Sequence, residues 1–286
     1  MRILPGRGRT AYRSAVGHLE DRAGLAGRAA VIVGGGGGLG RAIAADLAGA
    51  GVDLALCDRN AELLAETASA AEAAGVRVRT IEGDGREPDV LAALFALAGE
   101  EFGRFDVLVN VVGGTFRQPF VESAPKGWDA LIRTNFTWLL HSSQLAATAM
   151  RAGGRGGSII NLTSIEAHRA APGFAVYAAM KAAVTSLTRT LAVELGPDGI
   201  RVNAIAADQV PTEGTASIGD LSGDPGVGIP MGRRGTYEDV GGCALFLASD
   251  LSSYVTGTTL HPDGGTWASS GWFNWPETGW SPSPPG

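Results

Sequence analysis

Tyr177 and Lys181 stand four residues apart in Tyr177-Ala178-Ala179-Met180-Lys181, and Ser164 lies thirteen residues earlier. On a helix, positions i and i+4 share a face, so the phenol and the ammonium can reach one bound molecule. A free phenol has a pKa of about 10 and is a poor base at neutral pH. A nearby cation favours the phenolate and draws that value down. A tyrosine tuned in this way can exchange a proton with an alcohol or a carbonyl oxygen. Lys181 is one of only two lysines, with Lys126, among 23 basic residues. A chain that otherwise uses arginine has here a compact ammonium on a flexible stem. The same spacing is common on surface helices, so its meaning depends on its surroundings.

A second constellation lies near the start. Val31-Ile32-Val33 runs into Gly34-Gly35-Gly36-Gly37-Gly38-Leu39-Gly40, and a helical pattern follows. Glycines let the backbone approach a pyrophosphate, and the helix N-terminus beyond offers free N–H groups and a favourable dipole. A glycine run alone could be a flexible turn. The strand before it, the helix after it, and Asp58 eighteen positions beyond Gly40 make the context specific. A carboxylate at Asp58 can bind a ribose diol and repels a 2′-phosphate. Arg59 could accept such a phosphate, but no basic residue lies inside the loop, which favours NAD over NADP.

These groups need a scaffold, and the chain alternates short apolar runs with longer Ala-rich periodic ones. Residues 29–33, 52–57, 76–81, 107–112, 158–162, 202–206 and 258–261 read as buried strands. Residues 41–50, 61–74, 90–102, 126–151, 175–195 and 237–248 read as helices. Continuous apolar strands alternating with helices predict a parallel sheet of about seven strands covered on both faces. The expected fold class is therefore α/β, doubly wound, in a single domain over 27–265. Residues 1–26 form an N-terminal extension in this reading. Residues 207–235, rich in Gly, Pro, Asp and Thr, read as a lid. Residues 266–286 form an aromatic tail with Trp267, Trp272, Trp275 and Trp280, of which the last six are expected to be disordered.

The 286 residues are 45% hydrophobic and 18% charged, with a net charge of −6, which leaves no footprint for nucleic acid or an anionic membrane. Cys57 and Cys243 lie in apolar stretches and read as core thiols, consistent with a reducing cytoplasm. The four histidines show no metal-ligand spacing, and His141 reads as a packing residue. No apolar run approaches the roughly 20 residues of a membrane span. The arginines of the first 26 residues loosely suggest a transit peptide, but Glu20 and Asp21 argue against one.

The residues from Gly27 to Gly265 resemble the short-chain dehydrogenase/reductase family, whose fold is of the Rossmann type. The family's TGxxxGxG motif reads Val33-Gly34-Gly35-Gly36-Gly37-Gly38-Leu39-Gly40, with Val in place of Thr. Asp84 in Gly83-Asp84-Gly85 matches its adenine-contacting Asp, and Asn110-Val111-Val112-Gly113 partly matches NNAG. Asn135, Ser164, Tyr177 and Lys181 match the catalytic tetrad. The usual Pro-Gly after the sixth strand is replaced by Ala207-Asp208, while Val210 and Thr212 still match contacts to the nicotinamide end. Asp208 puts a carboxyl near the mouth, where it could alter substrate choice or simply solvate the lid.

The resemblance implies hydride transfer between a nicotinamide and a carbon bearing oxygen. Tyr177 would be the acid/base, Lys181 would hold the ribose and lower the phenol pKa, and Ser164 would bind the substrate oxygen. Thr163 could share that last role. Asn135 would hold a water linking Lys181 to solvent. Substrate-facing positions would be Thr115, Glu166, His168, Phe174 and Gln209, with Glu166 and His168 possible partners in a polar wall. The leading expectation is an NAD(H)-dependent enzyme interconverting a secondary alcohol and its ketone, as a homotetramer or homodimer. The alternatives are a non-redox isomerase, dehydratase or cyclase using the same tyrosine, and a non-catalytic NAD-binding protein. The aromatic tail is expected to pack over a substrate pocket, its own or a neighbour's.

Overall fold

The computed structural model describes residues 17–212 and 224–285. Seven parallel strands form one sheet: β1 (Ala29–Val33), β2 (Asp53–Asp58), β3 (Val78–Glu82), β4 (Val107–Asn110), β5 (Gly157–Leu162), β6 (Ile200–Ile205) and β7 (Thr259–Leu260), in the order β3-β2-β1-β4-β5-β6-β7. The helices that bracket them are α1 (His18–Ala23), α2 (Gly38–Gly49), α3 (Ala61–Glu72), α4 (Pro88–Phe102), α5 (Pro125–Ile132), α6 (Trp138–Gly153), α7 (Ala175–Leu195), α8 (Pro225–Gly228), α9 (Tyr237–Ala248) and α10 (Thr266–Ser269).

The strands are apolar throughout because both faces are covered. Ala30 and Ile32 of β1 face one core with Ile43 and Leu47 of α2 and Val240 and Leu247 of α9. Val31 and Val33 face the other, with Leu91 and Leu94 of α4, Trp138 of α6 and Val184 of α7. β1 pairs with β2 on one side and β4 on the other, so the chain order reverses there. The carboxyl ends of β1 and β4 thus open the crevice where such sheets take ligands.

The boundaries differ from the expected ones where a local event interrupts the pattern. The helix expected over 126–151 is broken by a π turn at Arg133–Thr137, between α5 and α6. A single inserted residue leaves little trace in apolar periodicity. The strand expected over 107–112 stops at Asn110, because the Val111 and Val112 amides both turn onto the Val33 carbonyl, at 3.0 and 3.2 Å.

Of the N-terminal extension, residues 1–16 lie outside the described residues, and Leu25 is buried in the core. Of the expected lid, 213–223 also lie outside them. The tail is ordered further than expected: β8 (Phe273–Trp275) and β9 (Gly279–Ser281) form an antiparallel hairpin, Phe273 pairs with Ser281, and β8 packs on α8. Among the described residues no helix is long and apolar enough to cross a membrane. Cys57 is buried, Cys243 is half-buried, and both are free thiols.

Candidate active site

The glycine loop leaves β1 in a conformation that its residue types permit. Gly34 has φ of 94°, and a Cβ there would meet Val112 Cγ2 at 2.9 Å. A Cβ on Gly40 would lie 1.9 Å from the Gly34 carbonyl, so α2 packs this tightly on the loop only with glycine. Gly37 is the N-cap of α2. No side chain caps that end, and its first turn holds no acidic residue. The first amides of α2 are therefore free of side-chain acceptors, as a pyrophosphate-binding helix end requires. At the tip of β2, Asp58 Oδ2 accepts from the Gly36 amide at 3.0 Å and Oδ1 from the Asn60 amide at 3.0 Å. This pins the carboxylate beneath the loop. The cradle and the pinned acid fit the adenosine diphosphate half of a dinucleotide. Arg59 is exposed beside it. Asp84 forms a paired contact with Arg86, whose guanidinium holds that carboxyl down at about 2. Gly85 is buried against Val33 and Cys57.

At the carboxyl end of β5 the chain turns outward through Thr163 and Ser164, and α7 returns Tyr177 and Lys181 to the same place. Lys181 is 4% exposed, and its Nζ donates to the Leu162 carbonyl at 3.0 Å and lies 5.7 Å from the centre of the Tyr177 ring. Burial lowers the ammonium to about 8. The Tyr177 phenol is raised, chiefly by burial, while its hydrogen bond with Ser164 works in the opposite direction and Glu166 and Asp208 add to the rise. The expected lowering by Lys181 is therefore not the dominant effect in this geometry: desolvation and two carboxylates outweigh it. The Thr163 hydroxyl is engaged away from Ser164, donating to the Lys181 carbonyl at 2.8 Å. The π turn directs Asn135 inward, where Nδ2 donates to the carbonyls of Gly114 (2.8 Å) and Leu131 (3.0 Å) and Oδ1 accepts from the Gly114 amide (3.2 Å).

Three expectations meet a different geometry here. The partial NNAG match makes Asn110 an expected cofactor contact, and its side chain is engaged elsewhere. Its amide joins a buried network in which it donates to Asn161 at 2.9 Å and accepts from Ser142 at 2.7 Å, and Asn161 donates to Thr188. A fully partnered network of this kind fixes β4, β5, α6 and α7 relative to each other. Glu166 pairs with Arg169 rather than His168. His168 instead packs on His261 (ring centres 4.7 Å apart) and on Trp267 of α10. His141, read as a packing residue, is exposed on α6.

The remaining expected positions lie on the loops after β4 and β6 and at the start of α7. Phe174 starts α7 and lines a crevice with Phe116, Phe120 and Trp128, the latter two stacked at 6.2 Å. Thr115 is half-buried on the loop after β4, and Val111 and Val112 flank the glycine loop. Gln209 is half-buried with φ of 45°, Val210 is buried, and Thr212 is half-buried. Asp208 is bound by Arg169 at 3.2 Å and by Thr266 at 2.7 Å. Arg169 and Thr266 were not foreseen. They lie 39 and 58 residues from Asp208, and nothing in the sequence links them. Among the described residues there is no cluster of three or more possible metal ligands.

The family described as enoyl-(acyl carrier protein) reductase matches residues 34–266, most of the chain and all of this site. The chain belongs to the short-chain dehydrogenase/reductase family. This short-chain dehydrogenase/reductase is 38% identical over 248 residues to 3β-hydroxysteroid dehydrogenase 1 of Eggerthella lenta, covering 84% of this chain and 94% of the relative. It is 34% identical over 244 residues to gluconate 5-dehydrogenase of Gluconobacter oxydans, covering 84% and 95%. The solved carveol dehydrogenase of Mycobacterium avium, in complex with NAD, matches it with a TM-score of 0.80 at 32% identity, over 85% of this chain and 98% of that one. The family's chemistry makes this chain an oxidoreductase with a nicotinamide cofactor and a small-molecule substrate.

Proposed function

We propose that the chain is an NAD(H)-dependent enzyme that interconverts a secondary alcohol and its ketone, with Tyr177 as the acid/base. The observation that carries this reading is the convergence of Tyr177, Ser164 and buried Lys181 beyond β5, in a sheet whose β1–β4 crevice carries the glycine cradle.

Gly34, Gly36, Gly37, Gly38, Leu39 and Gly40 would surround the pyrophosphate. Asp58 would take the adenosine ribose diol, with Arg59 beside it. Asp84 and Gly85 would border the adenine, and Val111, Val112, Asp208, Val210 and Thr212 the nicotinamide end. The bound nicotinamide supplies the hydride acceptor or donor and, when oxidised, a positive charge. In oxidation Tyr177 takes the hydroxyl proton as the carbinol hydride departs, and in reduction it returns that proton to the carbonyl oxygen. Ser164 steadies the charge that develops on this oxygen. Lys181 is close enough to the Tyr177 ring to favour the phenolate once it holds the nicotinamide ribose. Asn135 keeps the Gly113–Gly114 backbone in place beside Lys181 and would hold a water that passes protons outward. Thr115, Glu166, His168, Phe174 and Gln209 would border the substrate.

NAD is favoured because a pinned carboxylate at Asp58 opposes a 2′-phosphate. We further propose a cytoplasmic homotetramer or homodimer, with 27–265 as the catalytic domain, an extension before it and an aromatic tail after it. The test is NADH formation from NAD with a panel of secondary alcohols, steroids, polyols and cyclic diols, alongside NADP. Tyr177→Phe is expected to lower turnover roughly 10²–10⁴-fold. Calorimetric NAD binding without turnover on any member of the panel would count against the reading.

A further inference from the structure

Gly38 opens α2 and Tyr237 opens α9. These two helices approach each other through a glycine at each end of their contact. A Cβ on Gly241, one turn into α9, would run into the Asp46 carboxylate of α2, and a Cβ on Gly38 would run into the Tyr237 ring. The ring is therefore seated where the side chain of the first helical residue of α2 would otherwise stand. Its hydroxyl lies 2.6 Å from that Cβ position, and so no more than about 4 Å from Gly38 Cα. A helical Cα–Cβ bond tilts toward the helix N-terminus, which makes this spot the shoulder of the glycine cradle. Tyr237 is half-buried, and among the described residues its hydroxyl has no hydrogen-bond partner.

The seat is fixed from outside the cradle. Thr236 caps α9: its hydroxyl accepts from the Asp239 amide at 3.4 Å, and Asp239 Oδ2 accepts from the Thr236 amide at 2.8 Å. Arg233 donates to the same carboxylate oxygen at 2.7 Å. Just before the cap, Gly235 lies against the chain leaving β6, where a Cβ would meet Val210 Cγ2 at 2.8 Å. Tyr237 thus stands between the glycine cradle and the loop assigned above to the nicotinamide end. We propose that Tyr237 is a cofactor-binding residue whose hydroxyl donates a hydrogen bond to the dinucleotide pyrophosphate at the start of α2. This rests on the cofactor half of the reading above, the pyrophosphate on the cradle, and not on the choice of substrate.

The make-up of the cradle gives such a donor weight. Residues 34–40 contain no lysine or arginine. Arg41, which follows them, is turned to Glu66 at 3.4 Å. A pyrophosphate at this place depends on backbone N–H groups and the helix dipole. A neutral hydroxyl adds a bond to a charged acceptor, which is stronger than one between neutral groups. Packing accounts for the ring and for the glycine beneath it, since phenylalanine would fill the same seat. It does not account for the unpartnered hydroxyl at the edge of an anion site. One hydrogen bond to a charged group corresponds to roughly a tenfold change in affinity.

The experiment compares wild type with Tyr237→Phe in the full chain, by calorimetric binding of NADH and of ADP-ribose. The second ligand keeps the pyrophosphate and lacks the nicotinamide. Adenosine, which has no phosphate, is measured as a competitor of NADH. Tyr237→Phe is expected to weaken NADH and ADP-ribose by a like factor of roughly ten, with adenosine and the urea midpoint of the unliganded protein unchanged. Unchanged affinity for both pyrophosphate ligands overturns the proposal, because it leaves Tyr237 a packing residue. An equal loss for adenosine overturns it, and so does a loss confined to NADH, which puts the hydroxyl at the nicotinamide instead. If Tyr237→Phe lowers the urea midpoint, the phosphorus resonances of bound ADP-ribose decide: displacement from their wild-type positions supports the bond, and coincidence overturns it. Failure of wild type to bind either pyrophosphate ligand overturns the cofactor assignment and the proposal together. Binding without turnover on any alcohol overturns the alcohol dehydrogenase reading alone.

Discussion

Lys181 is nearly fully enclosed, with one carbonyl partner for its ammonium, and this has a measurable thermodynamic sign. Its folded pKa of about 8 lies below the ordinary 10.5. Between those values the unfolded chain binds more protons than the folded one, so this group makes stability rise with pH across that window. Below about 8 the lysine is charged in both states and the full cost of burying it remains. Urea denaturation at a series of pH values is therefore expected to show wild type gaining on Lys181→Met from about pH 8 to 10.5. A flat difference would mean that the ammonium reaches water. Ser164 gives a second prediction at this scale. Because the Thr163 hydroxyl is committed to the Lys181 carbonyl, it offers no substitute. Ser164→Ala is expected to lower kcat roughly 10²–10³-fold with little change in folding, as loss of a charge-stabilising donor does. Retention of most of the activity would show that Thr163 reorients.

The interrupted helix and the tail hairpin are the elements that the chain's periodicity described least well. A continuous helix over 126–151 keeps the same apolar face, so one π turn is invisible to pattern reading. That turn nevertheless points Asn135 at Gly114 and lets α6 restart with Trp138 buried. The tail is legible in composition alone: its tryptophans signalled an anchoring role, but not its partner. The structure lays β8 on α8, while α10 sends Thr266 to Asp208 and Trp267 to His168. Deleting residues 266–286 removes the Thr266 bond and uncovers α8. KM is expected to rise several-fold while the affinity for NAD, measured by calorimetry, stays near wild type, because the glycine cradle makes no use of the tail. Unchanged kinetics and unchanged oligomer size would remove any role for the tail at the pocket.

At the scale of the whole molecule, the two cores on either side of the sheet account for the strands' apolar sequences, while several large apolar side chains remain outside. Val193 on α7 is 78% exposed and Leu140 on α6 is 41% exposed. Isolated exposed residues of this kind are ordinary, but a proposed self-association through these Ala-rich helices would cover both. Light scattering is expected to give a dimer or tetramer mass for wild type and a smaller one for Val193→Glu. An unaltered mass would place the contact elsewhere.

The sequence by itself determined the architecture and the local relations within the candidate site. Strand and helix identities follow from apolar periodicity, the cradle from glycines between β1 and α2, and the Tyr177–Lys181 face from helical spacing, all of which are local relations along the chain. Tertiary structure alone decided the relations between distant segments. Asn110 turned into a buried network instead of toward the crevice, because Ser142 and Asn161 supply its partners. Glu166 chose Arg169, His168 chose His261, and Asp208 was caught between Arg169 and Thr266. The phenol rose instead of falling, since desolvation depends on everything packed around Tyr177 and not on the lysine four residues away. Charge and burial at a point are sums over the whole fold, and no spacing along the chain contains them.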